Sequence, residues 1–273
     1  APYPPIRWLF AAAGTVLQLC LGTVYAWSFF QKPLMAAGNW SNAQVAAAFS
    51  IAIAALGLAA AWGGVQLPRF GPRRLATTGG ALFGAGYLLA ALALRLHSLP
   101  LLYLGYGVIG GIGLGLGYVT PVATAARWFP DRKGFVTGMV VMGFGFGALL
   151  MSKLVAPALL RVTEDDLVRV FLFIGILLGA LALAMGAILR NPPEAAAATG
   201  GAAVSHAGPA IRSGRFLMMW LIFFCNIFAG ISIISFQSPL FQDLWQRTQA
   251  GLGAERLAAY GATLIAISSL SNG

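Results

Sequence analysis

The chain has 273 residues, of which 59% are hydrophobic and only 9% charged, and its mean hydropathy is +0.82. A soluble domain carries about 25% charged residues, so this composition excludes a water-soluble globular protein and points to a membrane chain. The formal charge of +10 would suit nucleic acid, but the charges sit in short tracts between apolar runs, where they set orientation in a bilayer.

Apolar segments fall near 7–30, 43–66, 76–96, 101–126, 134–160, 167–189 and 215–240, and an eighth begins near Leu257. About 20 helical residues cross the hydrocarbon layer, so seven of these are long enough to span it. The eighth is short of that length where the sequence stops at Gly273, and the chain starts at Ala1 without a methionine. The expectation is a piece of a longer membrane protein. The first run is too long for a cleavable signal and lacks a small-residue cleavage site. Pro33, Pro68, Pro72, Pro100, Pro130, Pro192, Pro193 and Pro239 lie at or beyond segment ends and read as stops. Ser41 with Gln44 forms a capping box opening the second segment. Cys20 and Cys225 both fall in apolar runs, which suits small packed side chains and not a disulfide framework.

With the N-terminus inside, the cytoplasmic ends hold ten basic residues against two acidic ones, and the outer ends hold seven against five. The excess of Lys and Arg therefore favours a cytoplasmic N-terminus and a cytoplasmic link between the sixth and seventh segments. That link, within 191–213, is rich in Ala and Gly and divides the chain into a six-helix half at 1–190, a linker at 191–213, and the start of a second half at 214–273. An internal echo supports two halves: Phe30-Gln31-Lys32-Pro33-Leu34 ends the first segment and Phe236-Gln237-Ser238-Pro239-Leu240 ends the seventh. Repeated halves are typical of secondary transporters.

Between Gly105 and Ala148 two glycine-studded segments flank the charged turn Arg127-Trp128-Phe129-Pro130-Asp131-Arg132-Lys133. Gly107, Gly111 and Gly115, and likewise Gly134 and Gly138, recur every four residues, a spacing that lets helix backbones approach closely. No strand precedes the glycines between Gly110 and Gly117, so helix packing explains them better than a nucleotide loop does. His97 and His206 are isolated, so neither a metal cluster nor another cofactor site is expected.

Gly64-Val65-Gln66-Leu67-Pro68-Arg69-Phe70-Gly71-Pro72-Arg73-Arg74 resembles the loop between helices two and three of the major facilitator superfamily, departing from it at Pro68, where an aspartate is usual. Gly22-Thr23-Val24-Tyr25-Ala26-Trp27-Ser28, Gly117-Tyr118-Val119-Thr120-Pro121-Val122-Ala123-Thr124 and Trp128-Phe129-Pro130-Asp131-Arg132-Lys133-Gly134 are similar to the oxalate:formate antiporter family within it. The resemblance implies an all-α membrane protein, a bundle of two six-helix halves of which about seven and a half helices are present, in a bacterial inner membrane. It implies secondary transport of small carboxylates such as oxalate, formate or lactate, through an aromatic-lined central site with cations from helices eight and eleven. In relatives an arginine follows a stretch like Ser271-Asn272-Gly273, so the missing C-terminal half is expected to be needed for function.

Helical spacing places Thr15, Gln18, Gly22 and Tyr25 on one face of the first segment, where Gln18 and Tyr25 could donate to a carboxylate or tie helices together. Trp27 points away, towards packing or lipid. Tyr118 shares a face with Gly107, Gly111, Leu114 and Pro121, which leaves packing open, while the resemblance places an aromatic pocket residue there. Asn226 shares a face with Gly230, Ile233 and Gln237 and is a candidate cavity residue, with Phe144 as an aromatic wall. Thr120 and Thr124 suit bonds to their own helix. Lys153 lies inside an apolar run, either as a functional cation or snorkelling to the interface. Asp131 is a candidate gate partner for Arg69, Arg73 or Arg74 and, alternatively, the N-cap of the fifth helix.

No Asp or Glu lies deep in the first six segments, which suits an anionic and not a cationic solute. The expected partners are thus a small organic anion and the bilayer, without nucleic acid. No acid-base or metal constellation indicates an enzyme. Two other readings stay open, a transporter of a different solute on the same scaffold and a membrane scaffold or partner subunit that does not transport.

Overall fold

The computed structural model describes residues 5–193, 213–248 and 254–272. Most of the expected linker, 194–212, and the terminal Gly273 lie outside these residues. The described chain forms ten helices: α1 Arg7–Gly22, α2 Trp27–Gly38, α3 Asn42–Arg95, α4 Leu99–Leu102, α5 Gly111–Trp128, α6 Lys133–Leu150, α7 Ala156–Val162, α8 Leu167–Ile188, α9 Gly214–Thr248 and α10 Ala254–Asn272. A tight 3-10 turn at Thr23–Ala26 joins α1 to α2, and wide turns at Tyr103–Gly110 and Met151–Val155 join α4 to α5 and α6 to α7. These junctions leave six continuous rods apolar and long enough to cross a membrane.

The rod α3 has 54 residues, about 80 Å at helical rise, far more than the roughly 30 Å hydrocarbon layer. It reverses direction at Gly71, whose φ of 74° and ψ of 163° are not helical. The contacts of its two legs prove the reversal. Towards the first leg, Gly107 faces Ala48, Gly111 faces Ala52 and Gly115 faces Leu56, so that leg runs parallel to α5. On the second leg, Gly79 faces Gly113 and Gly117 while Gly86 faces Gly105 and Gly110, so it runs antiparallel. Glycine suits this left-handed hinge, and Pro72 restarts the helix with its fixed φ. The described residues therefore hold seven membrane-crossing segments and α10, whose apolar stretch is Ala259–Ser268.

Two expected stops are not stops. Pro33 lies within α2 and Pro239 within α9, and both helices continue to Gly38 and Thr248. A transmembrane helix tolerates proline where neighbouring groups satisfy the freed backbone carbonyl. The capping box at the start of α3 forms: Gln44 N donates to Ser41 Oγ at 3.2 Å, and Ser41 N donates to Gln44 Oε1 at 2.8 Å. Thr120 and Thr124 bond back to Leu116 and Thr120 carbonyls at 2.7 and 2.8 Å.

The core gathers where α1, α2, α3 and α8 meet, around Leu17, Leu21, Phe49, Phe83 and Phe171, all essentially inaccessible. Trp27 belongs to it, stacked on Tyr106 at 4.2 Å. By contrast Leu172, Phe173, Ile176 and Leu177 line the outer face of α8 at 41–53% exposure, the pattern of a lipid-facing surface.

Close packing of α1 on α6 depends on bare backbone. A Cβ on Gly22 would lie 1.8 Å from the Phe144 carbonyl oxygen, one on Gly147 2.2 Å from that of Leu19, and one on Gly143 2.6 Å from that of Thr15. Gly134 and Gly138 do not share this role, contrary to what their spacing predicts: a Cβ at either meets nothing within 4 Å. Gly22→Ala must therefore push α1 off α6, a loss of at least about 1–3 kcal/mol by the usual scale of overpacking. Folded yield by size-exclusion chromatography should fall sharply for Gly22→Ala and stay at wild-type level for Gly138→Ala.

Candidate functional site

A cavity of about 240 Å³ opens where α9 faces the first six spans, and its walls are Tyr25, Tyr118, Phe144, Asn226 and Gly230 with aliphatic neighbours. Four of the wall residues arrive on four different elements. Tyr25 sits in the 3-10 turn that follows Gly22, Tyr118 on α5, Phe144 on α6 and Asn226 on α9. Phe144 stands between the two tyrosines, with ring centroids 5.1 Å from Tyr25 and 5.2 Å from Tyr118 and interplanar angles of 82° and 84°. Such perpendicular pairs hold rings rigidly, each contributing about 0.5–1.5 kcal/mol beyond burial. The site is thus a fixed aromatic frame carrying two phenols and a carboxamide.

Four of the five residues proposed for binding come together here. Gln18 lies behind the wall: it is fully buried, and its Nε2 donates to the Tyr118 carbonyl at 3.1 Å. It ties α1 to α5 at the tyrosine, so its placement is that of a positioning residue and not of a lining one. On α9 the lining stripe passes through Asn226, Gly230 and Ile234, while Ile233 turns outward at 68% exposure. Val141 and Gly145 also line the cavity. Val141 stands three residues before Phe144 on the same helix, and that spacing was the signal available for finding it; Gly145, one residue on, carried no such signal. Among the described residues no charged group lines it. The wall can therefore donate hydrogen bonds to an anion from neutral groups, and it has no carboxylate with which to hold a cation.

At the other end of the bundle the turn at Phe129–Arg132 forms a clamp. Arg7 Nη1 donates to Asp131 Oδ1 at 2.8 Å, and the same guanidinium lies 4.4 Å from the Phe129 ring centroid. Trp128 stacks on Phe10 at 4.6 Å and its Nε1 donates to the Arg190 carbonyl at 2.7 Å. The clamp thus joins the start of α1 to the end of α8. Asp131 neither caps α6, where Arg132 holds the N-cap position without a side-chain bond, nor pairs with Arg69, Arg73 or Arg74 among the described residues. The nearer guanidinium of Arg7 wins, because a charge-assisted bond exceeds an interaction with a helix end.

Lys153 does not simply snorkel. Its ammonium donates to the Ala259 carbonyl at 3.3 Å and to Thr263 Oγ1, both on α10.

The hydrogen bond from Arg7 holds the Asp131 carboxyl below the ordinary aspartate range. A lowered value means that the contact is fully present above about pH 4 and is lost as pH falls through the folded value. Protection from hydrogen exchange at residues 7–10, taken relative to the intrinsic rate at each pH, should fall on acidification in the native protein. In Asp131→Asn that protection should already be low at neutral pH and change little with acid.

The family profile described as Major Facilitator Superfamily matches residues 8–272. The chain is 27% identical over 276 residues to an uncharacterized MFS-type transporter, YhjX, of Escherichia coli, covering 98% of this chain and 65% of that protein. It is 28% identical over 243 residues to the oxalate:formate antiporter of Oxalobacter formigenes, covering 87% and 56%. A shorter stretch of 97 residues is 43% identical to apicoplast pyruvate carrier 1 of Toxoplasma gondii, covering 36% of this chain and 17% of that one. The chain thus spans about two thirds or less of the length of these relatives. The seven crossing segments, the cavity between them and the match over nearly all the residues agree: this chain belongs to the Major Facilitator Superfamily, a family of membrane transporters and not of enzymes.

Proposed function

We propose that the protein moves small carboxylate anions, such as oxalate, formate or a monocarboxylate, across the membrane by alternating access. The observation that carries this reading is the charge-free wall, two phenols and an amide around one phenylalanine, with no acid among its lining residues. The similarity to an oxalate:formate antiporter and to a pyruvate carrier supports it. The site draws Tyr25, Tyr118 and Phe144 from the segment 1–190 and Asn226 from 214–273, so a rocking of one against the other would open and close it. In this reading 1–190 is the first half, 191–213 a cytoplasmic linker and 214–273 the start of a second half that completes the anion site. The membrane is a bacterial inner membrane with the N-terminus cytoplasmic, as the basic residues favour.

Asp131 takes part in the inner gate. Held by Arg7 here, it would exchange partners with Arg69, Arg73 or Arg74 as the mouth closes. Asp131→Asn then slows exchange while leaving carboxylate affinity unchanged; unaltered exchange rates would remove the gate role.

Liposomes containing the complete protein should exchange labelled oxalate, formate or lactate, and indifference to every carboxylate tested would defeat the assignment. A hydrogen bond to a charged group is worth about 1.5–3 kcal/mol. Tyr25→Phe and Tyr118→Phe should therefore each weaken carboxylate affinity about tenfold or more, read from the concentration dependence of uptake. Wild-type affinity in both variants would return the two phenols to packing.

A further inference from the structure

A second and larger cavity, of about 690 Å³, lies between α7 and α10, well separated in sequence from the aromatic frame except through Phe29. Ser152 and Lys153 lie on its wall, and Arg161 lines it from the end of α7. Lys153 falls in the wide turn Met151–Val155 that interrupts the helical register of the rod Lys133–Val162. Such one-turn widenings re-aim side chains and recur at functional sites. The re-aimed ammonium is clamped from α10 by two neutral acceptors, the Ala259 carbonyl and the Thr263 hydroxyl. They fix its position and leave its charge in place. Among the described residues no carboxylate comes within 4.0 Å of Lys153 or Arg161. Glu164 and Asp165 line the same cavity but form no ion pair with either cation.

A cation within an otherwise apolar membrane-crossing rod is by default a functional candidate. Here it is oriented, in no direct ion pair with a described carboxylate, and open to a space large enough for a small anion. A carbonyl and a hydroxyl align an ammonium for an incoming oxygen anion without competing for it as a carboxylate would.

We propose that this cavity is a second anion site, in which Lys153, oriented by Ala259 and Thr263 and seconded by Arg161, binds a small oxyanion, either a free carboxylate or the phosphate of a lipid headgroup. The site stands on its own residues and does not depend on the aromatic frame being a carboxylate site.

Isotope-labelled dimethyl-lysine signals are followed in the complete protein, and those of Lys32, Lys133 and Lys153 are assigned one by one by replacement with arginine. Methylation keeps the charge, and Lys153→Arg identifies the Lys153 resonance by its loss. The protein is placed in phosphatidylcholine nanodiscs and titrated with oxalate, then compared with nanodiscs containing phosphatidylglycerol. A saturable shift of Lys153 with oxalate, while the exposed Lys133 stays still, is expected and identifies a free carboxylate as the ligand. A shift only with phosphatidylglycerol supports the same site with lipid as its source. Thr263→Val removes one of the two acceptors that orient the ammonium and should weaken the oxalate response several-fold; an unweakened response would overturn the orienting role. A Lys153 signal silent to both anions, or one that moves only together with Lys133, overturns the proposal. So does a silent signal that responds to Glu164→Gln or Asp165→Asn, since both carboxylates line the cavity and would then be the internal counter-ions. Failure of carboxylate exchange in liposomes with a responsive Lys153 would sink the transport reading alone.

Discussion

The approach of α1 to α6 through bare glycine backbone governs the rest. In a bilayer the lipid tails are as apolar as leucine, so helices are held by close van der Waals contact and not by expulsion of water. At Gly22 that contact is so tight that the Phe144 carbonyl oxygen occupies the place of a side chain. Tyr25 follows Gly22 by three residues, and Phe144 is the residue it meets, so one contact sets the distance between two rings of the frame. The third ring is tied by the same means: a Cβ at Gly117, next to Tyr118, would lie 2.7 Å from Leu21 Cδ1. All three aromatic walls are indexed to positions where a side chain is missing.

That dependence explains which parts of the molecule were legible in the sequence. Span number follows from runs of apolar residues, a local property, and the turn between the second and third spans was readable from Pro68 and Pro72, although the reversal itself falls at Gly71. Glycine spacing was only half readable. Gly107, Gly111 and Gly115 find α3 against them while Gly134 and Gly138 find nothing, although both sets repeat every four residues. Spacing defines a face; it does not say what lies across from it. Proline at 33 and 239 was misread because the rule for stops comes from water, where a freed carbonyl is easily solvated and the helix readily ends. In lipid, the incentive is to continue.

The site was legible in its residue types and less so in their depth. Tyr25, Tyr118, Phe144 and Asn226 meet at one cavity, but Gln18, on the same helical face as Tyr25, stands behind the wall. The 3-10 turn at Thr23–Ala26 tightens the helix between them, so a regular wheel loses register just before the tyrosine. Asp131 was hidden for a different reason. Its partner Arg7 is 124 residues away in the chain, and no local pattern announces a contact of that range, whereas a cap is read from neighbours.

Charge accounts for what the aromatic frame can and cannot do alone. Moving a carboxylate out of water into a poorly polar site carries an effective penalty of several kcal/mol even after relaxation. Hydrogen bonds from two phenols and an amide, each worth about 1.5–3 kcal/mol to a charged acceptor, return much of it. They also leave the anion free to depart, which a transporter requires as firmly as it requires capture. A site with a full cationic lattice would bind tightly and release slowly; a site with only neutral donors would admit water and small polar solutes as readily as carboxylates. Selectivity for a negative charge therefore demands positive potential near the frame without a cation permanently seated in it. The described lining supplies the neutral donors and no competing acid, so in the proposed reading a guanidinium or ammonium that completes the site would project from outside this wall. In the proposed reading, coupling of binding to motion would follow from the division of the site between 1–190 and 214–273: the anion would be fully compensated only when both parts close on it.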